Sequence, residues 1–464
     1  MDRQTMAAPD IPPVDRSRDA LAVALGNASM LGAGYLMLGR LWLALGTTLA
    51  SGLLVILMAT VLPYVWFEAL VILWWLALIA HGWLLAGGYT HLVASRFHRL
   101  VAASVTVPLL LCVVVLRADA FVINWGFSDA RRHGDCAQAL KIDGRIWLGH
   151  RVADAPLMAA DDNTARICWR LQEARRQLAS ALSSGDTADL ESAYRGMERI
   201  LSKAPGHERM VQVVLDPFLR GIPAKSPCVT AAITDWLGQR FESHDMLDRS
   251  TPVARRAAPA ALAGCGDILL AASAFASARG RYQQVIDQYP SSPFLAKAQD
   301  GVRRATLAIE LADVRGLIAD TSGTGYCDYP AAYSGAPPYR KGYNRTVFLG
   351  DDTYTQHLPA GWRTTDAANA TLVACAGEAE FGSAVRTCPY RDLTTGAGSY
   401  VTFYRVSVPI KAYELRTGNL VVNTKVQIGG SSCPDRLHTA DLQLFVTPSA
   451  SDIEDAFRPM ITRT

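Results

Sequence analysis

LWLALGTTLASGLLVILMATVLPYVWFEALVILWWLALIAHGWLLAGG, residues 41–88, contains no Lys or Arg. Two apolar stretches lie within it, Leu41 to Leu62 and Phe67 to Gly88. A helix rises about 1.5 Å per residue, so about 20 residues cross a hydrocarbon core of about 30 Å, and each stretch is long enough. Pro63 and Tyr64 supply a turn, and Trp66 is an aromatic residue of the kind that settles at the headgroup level. The chain is therefore expected to be an integral membrane protein.

Working outward, a third span is expected from Val101 to Leu116, closing at Arg117 and Asp119, with Pro108 as a candidate kink. Upstream, Ala20 to Leu38 is apolar but short, and carries Asn27, Ser29 and the glycines 26, 32, 34 and 39. It either spans or re-enters, which leaves an anchor of 3-4 spans. Cytoplasmic flanks retain Lys and Arg. If residues 20–38 do not cross, Arg3, Arg16, Arg18, Arg40, Arg96 and Arg99 all share one side, and the loop around Tyr64 carries none. That solution puts the carboxy-terminal bulk outside the cytoplasm; four full spans would turn it inward. A cleavable signal is not expected, because the apolar region is too long and no small-residue cleavage site follows it. Glu68 and His81 are the ionisable residues of the apolar region, where an uncompensated charge is costly. Glu68 opens its helix, where water and the helix dipole favour a carboxylate, and so reads as an interface marker. His81, flanked by Trp74, Trp75 and Trp83, reads as a neutral imidazole bonded to a neighbouring helix. About 20 Å of helix separates the two, so they form no common site.

At 464 residues the chain exceeds a single core. A formal net charge of +3, with no basic run interleaved with aromatics, argues against a nucleic-acid partner. Only Lys141, Lys203, Lys225, Lys297, Lys341, Lys411 and Lys425 are lysines among 45 basic residues, a compositional hint of a GC-rich bacterial genome. Of nine Cys, Cys112 lies in the third span, and Cys136, Cys168, Cys228, Cys265, Cys327, Cys375, Cys388 and Cys433 follow it. There is no CxxC pair and no His at ligand spacing, so neither a metal nor a cofactor is expected. An even number beyond the membrane fits disulfides in an oxidising compartment, and pairing in chain order is the expectation among the 105 connectivities eight cysteines allow.

From Asp129 to Leu317 apolar periodicity is helical, broken at SSGD (183–186) and APGH (204–207). Leu262, Gly266, Leu269, Ala278, Tyr282 and Pro290 stand at the spacing of a tetratricopeptide repeat, which this stretch resembles. Small residues let two antiparallel helices approach, the large ones fill the groove, and Pro290 ends the second helix. Ala193, Met197 and Pro205 form a weaker echo, and GDCAQAL (134–140) a fainter one. Cys265 stands where the repeat has Leu, the first-helix aromatic is missing, and fewer than three clear repeats occur, which argues against a regular superhelix. Beyond a Gly-, Ser-, Pro- and Tyr-rich stretch (Thr321 to Pro338) the period becomes two. Strands are predicted at Thr346–Leu349, Thr371–Cys375, Ala384–Cys388, Val401–Val408 and Leu420–Ile428, with a hairpin turn at Thr417-Gly418-Asn419 and a closing helix from Asp452 to Met460.

The expected fold class is mixed: a cytoplasmic tail (1–19), an α-helical membrane anchor (20–118), an all-α TPR-like helical-hairpin region (119–320) and a C-terminal disulfide-bearing β-rich or α+β domain (321–464). Through WFEALVILWWLALIAHGW, GHRVADAPL, AAYSGAPPY, LPAGWR, LVACAGE and YELRTGNLVV, the chain resembles uncharacterised multi-span membrane proteins of high-GC Gram-positive bacteria with a tetratricopeptide-like extracytoplasmic region. The resemblance implies this architecture and exterior placement, and brings no activity or binding residues with it.

Catalytic motifs are missing from the sequence: no GxSxG, SxxK, P-loop or HExxH occurs, and Val211 stands where His207-Glu208 would need a second ligand. Asp161-Asp162 and Asp351-Asp352 read as solvated loop charges, since adjacent side chains point apart. The expected role is an envelope interaction protein that holds a protein or wall partner outside the cell membrane through its helical region. The alternative is an extracytoplasmic sensor or transport accessory subunit that binds a ligand.

Overall fold

Asp19 caps the first helix, its carboxylate accepting the backbone N–H of Leu21 and Ala22. The structure, a computed structural model, describes residues 19–88, 96–320, 325–393 and 396–463. The expected tail before Asp19 and residues 321–324 of the expected linker lie outside them. The chain forms two units, Met1–Ala257 and Ala258–Thr464.

In the first unit, α1 (Ala20–Asn27) and α2 (Ala33–Met37) are too short to cross a bilayer. A turn joins them in which Met30 (φ 60°) and Gly32 (φ 63°) are left-handed. Ala20 at one end of the pair, and Met37 and Leu38 at the other, share a cluster with Trp83 and Ala86. The two ends of the pair therefore lie at one level beside the end of α4. Close approach makes this possible: a Cβ on Gly34 would lie 2.1 Å from the Val23 carbonyl oxygen, and one on Gly82 2.2 Å from Asn27 Nδ2. The helices long and apolar enough to cross a membrane, among the described residues, are α3 (Leu41–Thr60), α4 (Val65–Leu85) and α5 (Arg96–His133).

The helix α5 continues past Arg117 and Asp119, where the third span is expected to close. It runs without a break from the apolar stretch into the helical domain, and Arg117 and Asp119 pair with Glu68 and His150 of neighbouring helices. Around its second half fold α6 (Cys136–Asp143), α7 (Leu148–Ala153), α8 (Ala155–Ser184), α9 (Thr187–Lys203), α10 (Glu208–Arg220) and α11 (Pro227–Gln239). Gly185 (φ 79°) ends α8 and Asp186 caps α9, so the SSGD break works as a C-cap followed by an N-cap. Phe127, Met158, Leu171, Leu190, Met197 and Met210 are buried at the centre of one core. The Cys136–Cys168 disulfide staples α6 to α8. The division between the units falls inside α12 (Ser250–Ala271).

The second unit continues with α13 (Phe275–Gln288) and α14 (Leu295–Ala319). Its strands are β1 (Gly342–Tyr343), β2 (Thr346–Gly350), β3 (Leu372–Ala376), β4 (Glu380–Arg391), β5 (Gly398–Glu414), β6 (Leu420–Ile428) and β7 (Gln443–Phe445). The helix α15 (Ala450–Ile461) and β8 (Thr462–Arg463) follow. The 17-residue β5 is the spine, pairing antiparallel with β3, β4 and β6 and parallel with β7, while β2 adds parallel to β3. Phe457 of α15 is buried against this sheet beside Phe348. In the expected hairpin turn between β5 and β6, Gly418 takes the left-handed position (φ 71°), while Thr417 and Asn419 keep negative φ. The Cys327–Cys375 and Cys388–Cys433 disulfides pair as expected in chain order, and Cys228 and Cys265 are disulfide-bonded too. Cys112 is the free cysteine. The architecture is thus an apolar helical anchor, a helical domain and a mixed-sheet α+β domain.

Candidate functional site

The two ionisable residues of the apolar region each have a partner. His81 Nδ1 lies 2.7 Å from the Tyr35 hydroxyl, so the expected bond to a neighbouring helix is made to the short α2. Beside it, Asn27 Nδ2 donates to the Leu78 carbonyl (3.1 Å), Trp75 Nε1 to Ala28 O (2.9 Å) and the Thr106 hydroxyl to Leu25 O (2.7 Å). The short helical pair is therefore tied to α4 and α5 through polar bonds, which are the favoured glue where apolar surroundings offer no alternative partner.

Glu68 does more than mark an interface. Its carboxylate pairs with Arg117 of α5 at 2.8 Å, and Arg117 also reaches Asp154, the N-cap of α8, at 3.4 Å. Two residues along α5, Asp119 accepts from buried His150 of α7 at 2.9 Å. Ala155, the first residue of α8, packs with Met58, Phe67 and Val71 at the facing ends of α3 and α4. Arg117 thus links a carboxylate of α4 to the start of the helical domain, and α8 carries that contact into the core.

Two turns further along α8 lies a group whose setting differs from expectation. Asp161 and Asp162 are helical residues, not loop charges. Asp162 forms a two-pronged pair with Arg151, at 2.6 and 2.9 Å. Asp161 is 1% exposed, and its Oδ2 has no hydrogen-bond partner among the described residues. Burial pushes its carboxyl up to about 7; Arg131 opposes this, while Asp162 and Asp154 add to it. On the same face of α8, one turn on, the Thr164 hydroxyl is 3.3 Å from Nε2 of buried His207, whose Nδ1 faces the Ala204 carbonyl at 3.1 Å. Burial holds His207 below its ordinary range, and Arg131 works in the same direction. Burial thus favours the uncharged form of both Asp161 and His207. Asp351, by contrast, caps its own loop through Thr353 and stays near the surface.

In the second unit the repeat-like residues come together around Tyr282. Leu262, Ala278 and Tyr282 are fully buried, Leu269 is half-buried, and Pro290 follows the end of α13. A Cβ on Gly266 or on Gly301 would come within 2.6 Å of the Tyr282 ring, so two glycines on α12 and α14 hold it from both sides. Its hydroxyl donates to Asp267 Oδ1 (2.6 Å), and Lys297 pairs with the other oxygen (2.5 Å). Gly301 and Lys297 were not singled out from the sequence.

A cleft of about 370 Å³ opens beside the Cys136–Cys168 bridge, where Cys136, Leu171, Met210 and Val214 form the floor and His133 and Arg175 the rim. Among the described residues, no group of three His, Cys, Asp or Glu side chains is placed to hold a metal ion. No protein-family model, no curated protein and no solved structure matches the chain.

Proposed function

We propose that the chain is a multi-pass cell-membrane protein that presents its helical hairpins and its disulfide-bonded α+β module outside the cytoplasm to an envelope protein or wall partner. One observation carries this reading: all eight cysteines beyond the apolar region are in disulfides, and the one left free is Cys112 of the apolar helix. Stable disulfides belong to oxidising compartments. The short helical pair, read as re-entrant, supports the same side independently, since Arg40, Arg96 and Arg99 then flank the anchor together, opposite the Tyr64 turn. In this reading the hairpin around Tyr282 is tetratricopeptide-like, and the cleft rimmed by His133 and Arg175 takes a segment of the partner.

A reporter active only in the cytoplasm tests the orientation. Fused after Thr464 it should be silent, and inserted after Arg40 it should be active; activity at both places overturns the proposal. A photo-reactive residue at Arg175 should cross-link to an envelope component in living cells.

A second reading, a sensor or transport accessory subunit, draws on the path from Glu68 through Arg117 and Asp154 to Asp161. A change in the Asp161 interior would reach the anchor within two turns of α8. It predicts a response that Glu68→Gln or His81→Phe abolishes while partner binding persists.

A further inference from the structure

The outward face of α5 stays apolar beyond its charges. Leu111, Val114 and Val115 are exposed in the spanning part, and the same face continues with Phe121 (66% exposed), Val122 (59%) and Trp125 (62%). Positions 111, 115, 118, 122 and 125 form one stripe at helical spacing. Arg117 and Asp119 turn the other way, toward Glu68, Asp154 and His150. The stripe ends at Trp125; the next positions on that face are Asp129 and Arg132. Beside it, bound to α5 through His150, α7 begins with Trp147 (58%) and Leu148 (59%) turned outward.

From Leu100 to Trp125 the helix measures about 38 Å, at about 1.5 Å per residue, against a hydrocarbon core of about 30 Å. The excess of about 8 Å reaches the headgroup layer, where Trp is favoured. We infer that the base of the helical domain, the segment of α5 through Trp125 together with Trp147 and Leu148 of α7, is seated in the outer headgroup layer of the bilayer that α3, α4 and α5 cross. The partner of this surface is lipid. The half-exposed charges that bound the apolar run, Arg117 and Asp119, are then paired with Glu68, Asp154 and His150 at the membrane edge, and the helical domain is held at a fixed depth and not on a flexible stalk. The inference rests on the proposal that α3, α4 and α5 cross a membrane.

The test uses the full chain in phosphatidylcholine vesicles, with either plain acyl chains or chains brominated near the headgroup, and with iodide equilibrated on both sides. Each of Trp125→Phe, Trp147→Phe, Trp169→Phe and Trp42→Phe removes one of ten tryptophans. The emission lost in Trp125→Phe and Trp147→Phe should be the part quenched by brominated lipid and spared by iodide. That lost in Trp169→Phe, from an exposed residue of α8, should be the reverse. If the Trp125 and Trp147 emission is quenched by iodide and untouched by brominated lipid, the base stands in water and the inference fails. If it is shielded from both, a protein covers the surface, and the inference fails again. Trp42, exposed at the start of α3, separates the two levels: without lipid quenching there, the crossing itself is wrong.

Discussion

Replacing Asp161 with Asn should leave the fold in place and remove a pH dependence. The folded carboxyl titrates at about 7, against an ordinary 3.8, because burial disfavours its charged form. Between those values the folded state binds a proton that the unfolded state has released, so stability falls as pH rises from about 4 to about 7 and is level above. At about 1.4 kcal/mol per tenfold step, the span corresponds to about 4 kcal/mol. His207 works against this trend: its folded range is depressed, so it contributes stability that is lost as pH falls through its unfolded range near 6.5. The wild-type curve mixes the two, but the difference between wild type and Asp161→Asn isolates the carboxylate. Melting of the full chain in detergent, followed by near-ultraviolet dichroism from pH 4 to pH 8, measures it. Asp161→Asn should be close to wild type at pH 4 and more stable at pH 8. A unit of this size melts about 2 to 4 °C higher per kcal/mol, so the gap at pH 8 should be about 10 °C. A constant gap across the range, or one that widens toward acid, would refute the buried-proton account.

Gly301→Ala should cost about 1 to 3 kcal/mol by overpacking the Tyr282 ring, and Tyr282→Leu in the same chain should recover much of it, as read from melting midpoints. Glu68→Gln and Arg117→Gln should each lower the melting point by the equivalent of about 1 kcal/mol, since the Arg117 side chain is half exposed; the double substitution should be no worse than Arg117→Gln alone, and additivity would remove the pair from the account. Opening the Cys327–Cys375 or Cys388–Cys433 loop, with sequence separations of 48 and 45, releases about 4 kcal/mol of unfolded-chain constraint. Cys375→Ser or Cys388→Ser should therefore lower yield far more than Cys112→Ser. Eight free thiols in non-reducing mass spectrometry of the native protein would overturn both this expectation and the exterior placement.

Elements held by their own pattern were legible. Leu420–Ile428 could be read from alternation alone, and SSGD and APGH marked real helix ends, because Gly, Asp and Pro act locally. What depends on distant partners was not. The three-residue β7 exists only because β5 has a free edge at Thr402–Tyr404. Gly301 explains itself only once Tyr282 is beside it, although a glycine in mid-helix costs about 1 kcal/mol and so asks for a packing reason.

The setting of Asp161 and Asp162 differs from the expected loop because helix face, not adjacency, decides burial. Asp161 stands between Met158, Ala165 and Cys168 at helical spacing, on the stripe that α8 buries; its neighbour Asp162 stands on the other face and finds Arg151. Arg117 and Asp119 close the charge-free run, and an outward apolar stripe passes them and ends at Trp125. A charge-free run measures the depth of a span only where the charges bounding it face lipid. Where they face Glu68, Asp154 and His150, the run ends early and the apolar face continues. The helix face, read at a period of 3.6, puts the carboxylate of Asp161 in the core and keeps Phe121, Val122 and Trp125 on the exposed apolar face of α5.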